Sequence, residues 1–321
     1  MPKVSVLIIT YNQRKFIRQA IDSALAQQTT FPIEILVGDD FSTDGTRDII
    51  QEYERTHPGL VIGVLHPRNM GKNGGINFLE TLKRARGGYY ALMDGDDYWT
   101  DPTKLQKQAD FLDAHPECST VFHNALITYE DGSPAHLLNG PDMKPFYTVD
   151  DLVGETEIWF MATSSTMYRN NIREYPAWFR ESSSGDIPRL ILKAKLGMIG
   201  YLPDVMSVYR KNRAGASYHD NEKDEAFLRN RIRMYRDINR ELAYRYDKKL
   251  RRNIARYYRM MMDANQYEQR YFRRAGLALK YLYLGRPDWD TTKTVIRDYI
   301  VPEPLAKLYS TVRLLPHRPT R

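Results

Sequence analysis

The sequence predicts an α/β fold with a mostly parallel central sheet, helices on both faces and a further α-helical region at the C-terminus. Two observations lead to this prediction. In the first hundred residues, short apolar runs rich in β-branched residues alternate with segments whose apolar residues recur at helical spacing, as in a doubly wound sheet. From about residue 222 to residue 285 the spacing is helical, and Arg and Tyr are abundant. We therefore predict two domains, residues 1–218 and 219–321.

The individual elements follow from the same periodicities. Continuous apolar runs predict strands, because a strand buried on both faces has no polar side. The predicted strands are 4–9, 34–40, 61–65 and 87–93, with later extended segments at 120–129 and 199–210. Helical spacing predicts helices at 15–28, 46–55 and 76–86. Residues 140–185 are mixed in character, so the pattern predicts no single element there.

Polar residues stand at the ends of three predicted strands. They are Thr10-Tyr11-Asn12 after the first strand, Asp39-Asp40 at the end of the second, and Asp94-Gly95-Asp96-Asp97 after the fourth. In a doubly wound sheet, ligands bind beyond the carboxyl ends of the strands. We therefore expect these three clusters to converge on one edge of the sheet, although they are far apart in the chain.

The stretch ALMDGDDYW places Asp94, Asp96 and Asp97 within four positions. Carboxylates this close repel one another unless a cation or strong hydrogen-bond donors compensate. Mn²⁺ and Mg²⁺ prefer oxygen ligands, and a protein often supplies only one or two carboxylates while substrate phosphates complete the shell. The pattern favours a divalent metal site. The alternative is an acidic turn that caps the following helix.

The other two clusters suggest a nucleotide site. Asp39 or Asp40 could accept a hydrogen bond from a base or a ribose hydroxyl, and Tyr11 could stack on a base beside Asn12. Lys72, in the glycine-rich loop NMGKNGG, could contact phosphate, although the loop lacks P-loop spacing. Local alternatives exist: an aspartate can cap a turn, and Tyr11 can be a packed surface aromatic.

Asp186 is the single acid in the segment SSSGDIPRL. One reading is an N-cap, since Pro188 would then stand early in the following helix. The other is a general base, and the segment alone does not decide between the two.

Charge is distributed unevenly over the chain. The net charge is +7, but residues 211–321 carry 26 Lys and Arg against 13 Asp and Glu, so the preceding part is acidic. The basic part could face an anionic membrane, or simply be a solvated surface. Cys118 is the single cysteine, which suits a reducing compartment. No apolar stretch reaches membrane-spanning length, so we expect a cytoplasmic protein, with peripheral membrane contact as an option.

Taken together, the motifs VSVLIITYN, ILVGDDFSTDGT, DGDDYWTDPTKLQKQ and GDIPRLILKAKLGMIGYLPDVMSVYR resemble those of the inverting family 2 glycosyltransferases of bacterial surface-polysaccharide synthesis. The resemblance covers roughly residues 3–215. It implies the GT-A nucleotide-sugar-binding fold for this region.

The resemblance also implies roles for matching positions. Thr10, Tyr11 and Asp40 match residues that hold the base, usually uracil. Asp94 and Asp96 match the motif that binds metal and the ribose-diphosphate.

Three further positions match less uniformly. Asp97 matches a common extra acid of the metal motif, and Asp186 matches the catalytic base. Asn212 stands where the family often has a metal-binding His, so a third protein ligand would be its amide oxygen, or would be absent.

The implied activity is metal-dependent transfer of a sugar from a nucleotide diphosphate sugar, with inversion, to a hydroxyl of a glycan, lipid-linked or protein acceptor. The implied cofactor is Mn²⁺ or Mg²⁺. A sugar nucleotidyltransferase is an alternative, but ITYNQRKF lacks the glycine-rich loop expected after the first strand of such enzymes. A non-catalytic scaffold in glycan assembly is another. No nucleic-acid-binding motif is present.

Overall fold

A computed structural model describes residues 1–71, 74–172, 174–182, 184–212, 225–264 and 270–302. The strands are β1 (Val4–Thr10), β2 (Ile33–Asp39), β3 (Val61–Leu65), β4 (Tyr89–Asp94), β5 (Tyr98–Trp99), β6 (Cys118–Tyr129), β7 (His136–Leu137), β8 (Phe146–Tyr147), β9 (Thr166–Arg169) and β10 (Met198–Lys211).

The first seven helices are α1 (Ile17–Leu25), α2 (Thr46–Thr56), α3 (Gly75–Leu82), α4 (Lys104–Ala114), α5 (Val149–Leu152), α6 (Ala177–Glu181) and α7 (Asp186–Ala194). The next four are α8 (Glu225–Glu241), α9 (Asp247–Met262), α10 (Tyr271–Gly285) and α11 (Trp289–Val295), the last continued by a π-helical turn, Ile296–Ile300. A 3₁₀ turn, Thr163–Ser165, precedes β9.

All but two of these strands follow one another in the order β3-β2-β1-β4-β9-β6-β10-β5, while β7 pairs with β6 and β8 with β10. The pairs among β1, β2, β3 and β4 are parallel, as are β6 and β10. β1 lies between β2 and β4, and the side chains of Val4, Val6, Leu7 and Ile8 are fully buried. The predicted α/β fold, a central sheet with flanking helices and further helices at the C-terminus, is confirmed.

The second half of the sheet has a feature that the sequence pattern did not predict. β9 lies between β4 and β6 and pairs antiparallel with both. It falls within the mixed region 140–185, where its four residues are too few to show a periodicity. Because β9 follows the Thr163–Ser165 turn directly, it fixes that turn against the end of the sheet.

α1 is shorter than the predicted helix at 15–28. After Leu25 the chain leaves the helix, and the Gln27 side chain ties this segment to the loop before α4. Its Nε2 donates to the Asp101 carbonyl at 2.9 Å, and its Oε1 accepts from the Leu105 amide at 3.0 Å. Contacts to residues distant in sequence thus override the local helical spacing.

The chain divides into two compact units. The first contains Met1–Leu152 and Ile158–Lys223, and the second contains Val153–Glu157 and Asp224–Arg321. The predicted boundary between residues 218 and 219 lies outside the described residues.

Within the second unit, α9 packs against both α8 and α10. Glu157 of the short segment belongs to this packing, since its carboxylate accepts from the Tyr257 hydroxyl at 2.6 Å and lies 3.5 Å from Arg231 Nε. None of the helices in the described ranges is both long enough and apolar enough to span a membrane.

A buried carboxylate joins three segments at the amino edge of the sheet. Glu34 of β2 is 1% exposed, and its Oε1 accepts from Ser5 Oγ and from the Arg86 amide, each at 2.7 Å. Its Oε2 accepts from Arg86 Nε at 2.8 Å. Burial alone would raise the pKa of Glu34, but the hydrogen bonds and the charge of Arg86 outweigh it, so the pKa lies below the ordinary value.

We expect Glu34→Gln to lower the free energy of unfolding by about 1–3 kcal/mol at neutral pH, because charge-assisted bonds are replaced by weaker ones. A carboxylate whose pKa is lower in the folded state stabilises above its unfolded pKa and loses this contribution as pH falls through the folded value. The difference between wild type and variant should therefore shrink below about pH 4.

Urea denaturation at neutral and acid pH checks this expectation. Glu52→Gln is the matched control, because Glu52 forms an exposed ion pair with Arg18 and should change stability little. Equal losses in both variants, or a Glu34→Gln effect that persists unchanged in acid, would contradict the role of Glu34.

Candidate active site

The parallel register brings the predicted clusters to one edge of the sheet. Thr10 of β1 is paired with Asp39 of β2, and its predecessor Ile9 is paired with Asp94 of β4. Adjacent strands are about 4.8 Å apart. The carboxyl ends of the second and fourth strands therefore flank the end of the first, as the sequence predicted.

The loop after β1 shows two kinds of side chain. Tyr11 is 49% exposed, so its ring is accessible at this edge. Asn12 adopts a left-handed backbone with φ of 53°, which Asn tolerates better than most residues. The side-chain Oδ1 of Asn12 accepts from the backbone N–H of Thr43, and the backbone N–H of Asn12 donates to Ser42 Oγ, both at 2.8 Å. Asn12 thus holds the first loop to the loop after β2; its role as a nucleotide ligand stays a prediction.

The two aspartates at the end of β2 differ in their contacts. Asp39 is fully buried, and its Oδ2 accepts from the Ser42 amide at 3.0 Å, which is the local turn contact considered for it. Asp40 accepts from the Met70 amide at 2.6 Å through Oδ1. Burial raises the pKa of Asp40 despite this bond. Lys72, in the same glycine-rich loop as Met70, lies outside the described residues.

Two residues in this region were not predicted. Phe41 is 39% exposed with φ of 67°, and the Arg47 guanidinium carbon lies 5.5 Å from its ring centroid. A positive φ on an aromatic residue costs energy and often marks a functional loop. His66, directly after β3, places Nε2 2.9 Å from Asn77 Oδ1, and the Asn77 amide donates to the Gly38 carbonyl at 2.8 Å. A single sequence gives little signal for either contact.

The Asp94-Gly95-Asp96-Asp97 loop turns tightly against the β1 end. A Cβ atom at Gly95 would lie 2.5 Å from Gln13 Oε1 and 2.8 Å from Thr10 Cβ, so only glycine fits without rearrangement. Asp96 is 8% exposed and Asp97 is fully buried. A buried carboxylate costs free energy unless hydrogen-bond donors or positive charges lie close to it, so each of these two acids requires such partners.

Arg210 of β10 supplies several of these donors. Its amide donates to Asp97 Oδ1 and its Nη1 to the Asp96 carbonyl, each at 2.9 Å. Its guanidinium carbon lies 5.0 Å from the Phe16 ring centroid and 4.7 Å from that of Tyr98. Arg210 thus fixes the backbone of the acidic loop to the neighbouring strand.

Asp186 lies beside the acidic loop although it is far away in sequence. Thr163 Oγ1 donates to Asp186 Oδ2 at 3.3 Å and is also within hydrogen-bonding reach of Asp94. The Arg189 guanidinium forms an ion pair with Asp186, donates from Nε to the Tyr168 hydroxyl at 3.2 Å, and is itself buried.

The N-cap of α7 is Gly185 and Asp186 is the first helical residue, so Asp186 does not occupy the N-cap position.

Burial raises the pKa of three acids of this loop, and the charges of neighbouring acids add to the effect at Asp94 and Asp97. Burial, followed by the charges of Asp186 and Asp96, raises the pKa of Asp94 to about 8. Burial, followed by the charges of Asp96 and Asp94, raises the pKa of Asp97 well above its usual range. Burial also raises the pKa of Asp96, although hydrogen bonds from Asn212 and Gln13 oppose it.

Asn212 is buried at the end of β10, and its Nδ2 donates to Asp96 Oδ2 at 2.6 Å. In the ranges that the structure describes, no group of three or more His, Cys, Asp or Glu side chains is arranged to hold a metal ion. The oxygen atoms of Asp94 and Asp96, with the Asn212 amide beside them, are chemically suited to Mn²⁺ or Mg²⁺. A cation there would offset the repulsion that adds to the effect of burial on the pKa values of Asp94 and Asp97.

Comparison with known proteins identifies relatives in sequence. The profile of glycosyl transferase family 2 matches residues 5–175. An uncharacterised protein of Mycobacterium tuberculosis is 38% identical over 232 residues, 68% of this chain and 63% of that protein. The putative teichuronic acid biosynthesis glycosyltransferase TuaG of Bacillus subtilis is 35% identical over 158 residues, 49% of this chain and 59% of TuaG. The chain thus spans less than two thirds of the length of these relatives.

The fold is also found among solved structures. Residues 1–349 of Staphylococcus aureus TarS, crystallised with UDP-GlcNAc, superpose with a TM-score of 0.62 and 20% identity, covering 93% of this chain and 91% of that one. At this identity the likeness concerns the fold, which is of the GT-A type. With the family profile matching more than half of its length, the chain belongs to glycosyl transferase family 2.

Proposed function

We propose that this protein transfers a sugar from a nucleotide diphosphate sugar, most simply a UDP-sugar, to an acceptor hydroxyl with inversion at the anomeric carbon, in a metal-dependent reaction of glycan synthesis. The observation that carries this proposal is the meeting of Asp94, Asp96 and Asp186 at one sheet edge, where Thr163 connects Asp94 to Asp186. Family membership favours transfer over the nucleotidyltransferase alternative. The naming of TuaG as an enzyme of teichuronic acid biosynthesis supports a surface polysaccharide as the product.

The donor nucleotide is assigned to the edge at β1 and β2. The exposed ring of Tyr11 is available to stack on a base, and Phe41 adds a second accessible ring nearby. A carboxylate can accept several hydrogen bonds, so Asp40 can accept from a base imino group in addition to the Met70 amide. The turn contact of Asp39 and the bridging contacts of Asn12 give these two residues a positioning role beside the nucleotide.

A divalent cation is assigned to Asp96 and Asp94, with Asn212 as the candidate third ligand. Asn212 would turn its amide oxygen toward the cation, or keep its present bond and hold Asp96 in place. Once bound, Mn²⁺ or Mg²⁺ would neutralise the negative charge that builds up on the departing diphosphate. Asp97 is buried and accepts a hydrogen bond from the Arg210 backbone amide, so it holds the acidic loop against β10.

Asp186 is assigned as the general base. As the acceptor oxygen forms its bond to the anomeric carbon, the bond from that carbon to the diphosphate oxygen breaks, and the acceptor proton passes to the Asp186 carboxylate. Arg189 and Thr163 orient this carboxylate from opposite sides. A single displacement inverts the anomeric centre and needs no covalent intermediate, so no nucleophilic Ser or Cys is required.

We expect slow hydrolysis of one member of a nucleotide-sugar panel that requires Mn²⁺ or Mg²⁺ and stops with chelator. Asp96→Asn should weaken UDP binding with Mn²⁺ by roughly 100-fold. Asp186→Asn should reduce sugar transfer by about 10²–10⁴-fold and leave UDP binding largely intact.

Calorimetry with UDP and Mn²⁺, beside the hydrolysis assay, measures both effects. Asp110→Asn, which removes an exposed carboxylate on α4, is the control and should match wild type. Hydrolysis that resists chelator would rule out the metal assignment. Failure to bind any nucleotide would favour the non-catalytic scaffold.

Arg210 provides a separate test of how the acidic loop is held. Arg210→Lys keeps one positive charge but cannot reach the Asp96 carbonyl and the Gln19 side chain together. We expect UDP–Mn²⁺ affinity to fall by roughly 10- to 100-fold, as when other orienting partners of metal ligands are lost.

Arg18→Ala is the matched control for Arg210→Lys. Arg18 also lies over an aromatic ring and pairs with a carboxylate, but on the exposed side of α1. If both variants bind UDP with equal affinity, Arg210 does not position the loop.

We further propose that the second unit contacts an anionic membrane through α10. Phe272, Leu279 and Tyr283 are 88%, 57% and 68% exposed, and their spacing places them on one stripe of the helix. Arg273, Lys280 and Arg286 are exposed around this stripe. Aromatic residues and Leu beside basic residues are typical of helices that lie in the membrane interface.

The double variant Phe272→Ser/Tyr283→Ser should no longer sediment with vesicles of phosphatidylcholine and phosphatidylglycerol. Binding of the wild-type protein to these vesicles should weaken as the salt concentration rises. Tyr244→Ser, which removes a 58% exposed aromatic outside α10, should bind like wild type. Equal binding to pure phosphatidylcholine vesicles would remove the electrostatic part of the proposal. Concentration-dependent dimerisation lost in the double variant would instead assign the stripe to self-association.

A further inference from the structure

An exposed tryptophan stands on a firmly anchored loop in the first unit. Trp159 is 37% exposed. The next residue, Phe160, packs between Phe122 and Tyr147 at centroid distances of 5.7 Å and 4.9 Å, and its carbonyl accepts from Asn139 Nδ2 at 3.0 Å. The core therefore fixes the backbone from which Trp159 projects. A single exposed aromatic is ordinary on a protein surface, so its neighbours decide what it means.

Trp159 packs beside Tyr209 of β10, with ring centroids 5.6 Å apart and planes inclined by 50°. Lys211 Nζ lies 5.1 Å from the Tyr209 centroid. The two rings form a tilted pair, and the lysine packs over the tyrosine. The rings of Trp159 and Tyr209 form one aromatic surface, and β10 fixes the position of Tyr209 within it.

Strand alternation places this aromatic pair on the same face as the general base. Tyr209 and Ser207 project to one face of β10 because they are two residues apart in a regular stretch. Ser164 Oγ donates to Ser207 Oγ at 3.3 Å, so this face carries the Thr163–Ser165 turn. Arg210 projects to the opposite face. The strand thus separates the group that holds the acidic loop from the aromatic pair.

The chain itself limits the distance from Trp159 to the base. Trp159 is four residues before Thr163, and Thr163 Oγ1 is bonded to Asp186. Four residues span at most about 14 Å even when fully extended. A short saccharide with one hydroxyl at Asp186 can therefore reach the Trp159 ring with another of its sugar units.

We propose that Trp159, supported by Tyr209, is the stacking subsite for a saccharide acceptor, so that the acceptor is a glycan rather than an isolated protein hydroxyl. Sugar rings present C–H faces, and these pack against the electron-rich face of an aromatic ring. The inference rests on the proposed function, because it takes Asp186 as the base that receives the acceptor proton. It adds the class of acceptor and the residue that selects it.

The test uses octyl glycosides of glucose, N-acetylglucosamine, galactose and glucuronic acid as acceptors, with the donor found in the hydrolysis screen. We expect Trp159→Ala to raise KM for the accepted glycoside by about 10-fold, more than it changes KM for the donor. Trp159→Phe should restore part of this loss, since a ring is present again. Trp289→Ala, which removes a 67% exposed tryptophan of the second unit, should transfer like wild type.

A direct readout uses protein labelled with 5-fluorotryptophan, in which the Trp159 signal is assigned by its absence in Trp159→Phe. We expect that fluorine signal to shift when the accepted glycoside is added. Wild-type acceptor KM in Trp159→Ala, or no glycoside that both accepts sugar and shifts the signal, would overturn the subsite. Loss of metal-dependent hydrolysis and of UDP binding in the wild type would instead refute the proposed function, so the two failures are distinguishable.

Discussion

The mutual repulsion of carboxylates at one edge of the sheet is the constraint on which the site depends. Asp94, Asp96, Asp97 and Asp186 come from two distant segments, and burial raises the pKa of the first three. Holding an ion out of water costs several kcal/mol unless charges and donors compensate. Hydrogen-bond donors and arginine side chains around the four acids provide this compensation.

Two arginines contribute to this compensation on the protein side, beside the hydrogen bonds that Asn212 and Gln13 make to Asp96. Arg210 lies between two aromatic rings and reaches both the Asp96 carbonyl and Asp97. Arg189 is buried, lies 4.9 Å from the Phe78 ring centroid, and pairs with Asp186. A planar guanidinium can stack and donate in several directions at once, which an ammonium cannot. These two residues therefore hold the acidic loop and Asp186 at fixed positions.

The sequence was sufficient for the parts of this arrangement that follow from local patterns and parallel topology. Continuous apolar runs predicted β1 to β4, and because parallel strands end at one edge, the convergence of Thr10, Asp39 and Asp94 followed directly. The nearness of Asp186 did not follow from spacing, and came only from resemblance to a family. Asp186 lies close to the acidic loop because Thr163 contacts it. Thr163 stands just before β9, and β9 is positioned by pairing with β4 and β6, which are distant in sequence.

Other features were missed because a single sequence carries little signal for them. The left-handed backbone of Phe41 and the pairing of His66 with Asn77 depend on tertiary contacts. The Asn12 side chain, which suggested a ligand, accepts from the loop after β2, and its role toward a nucleotide stays a prediction. A polar residue at a strand end can serve the ligand or the loop that receives it, and only the hydrogen bonds distinguish the two.

β10 connects the two halves of the proposed reaction. Its alternate residues face opposite sides, so Arg210 holds the acidic loop while Tyr209 meets Trp159 on the side of the Thr163–Ser165 turn. A shift of one residue in the pairing of this strand would exchange the two faces and disrupt both sites together. The loop that carries Trp159 is anchored to the same sheet, because Phe160 packs against Phe122 of β6 and Tyr147 of β8. Under the proposed function, a change confined to residue 159 would alter the acceptor contact and leave the contacts that Arg210 makes on the opposite face of β10 in place.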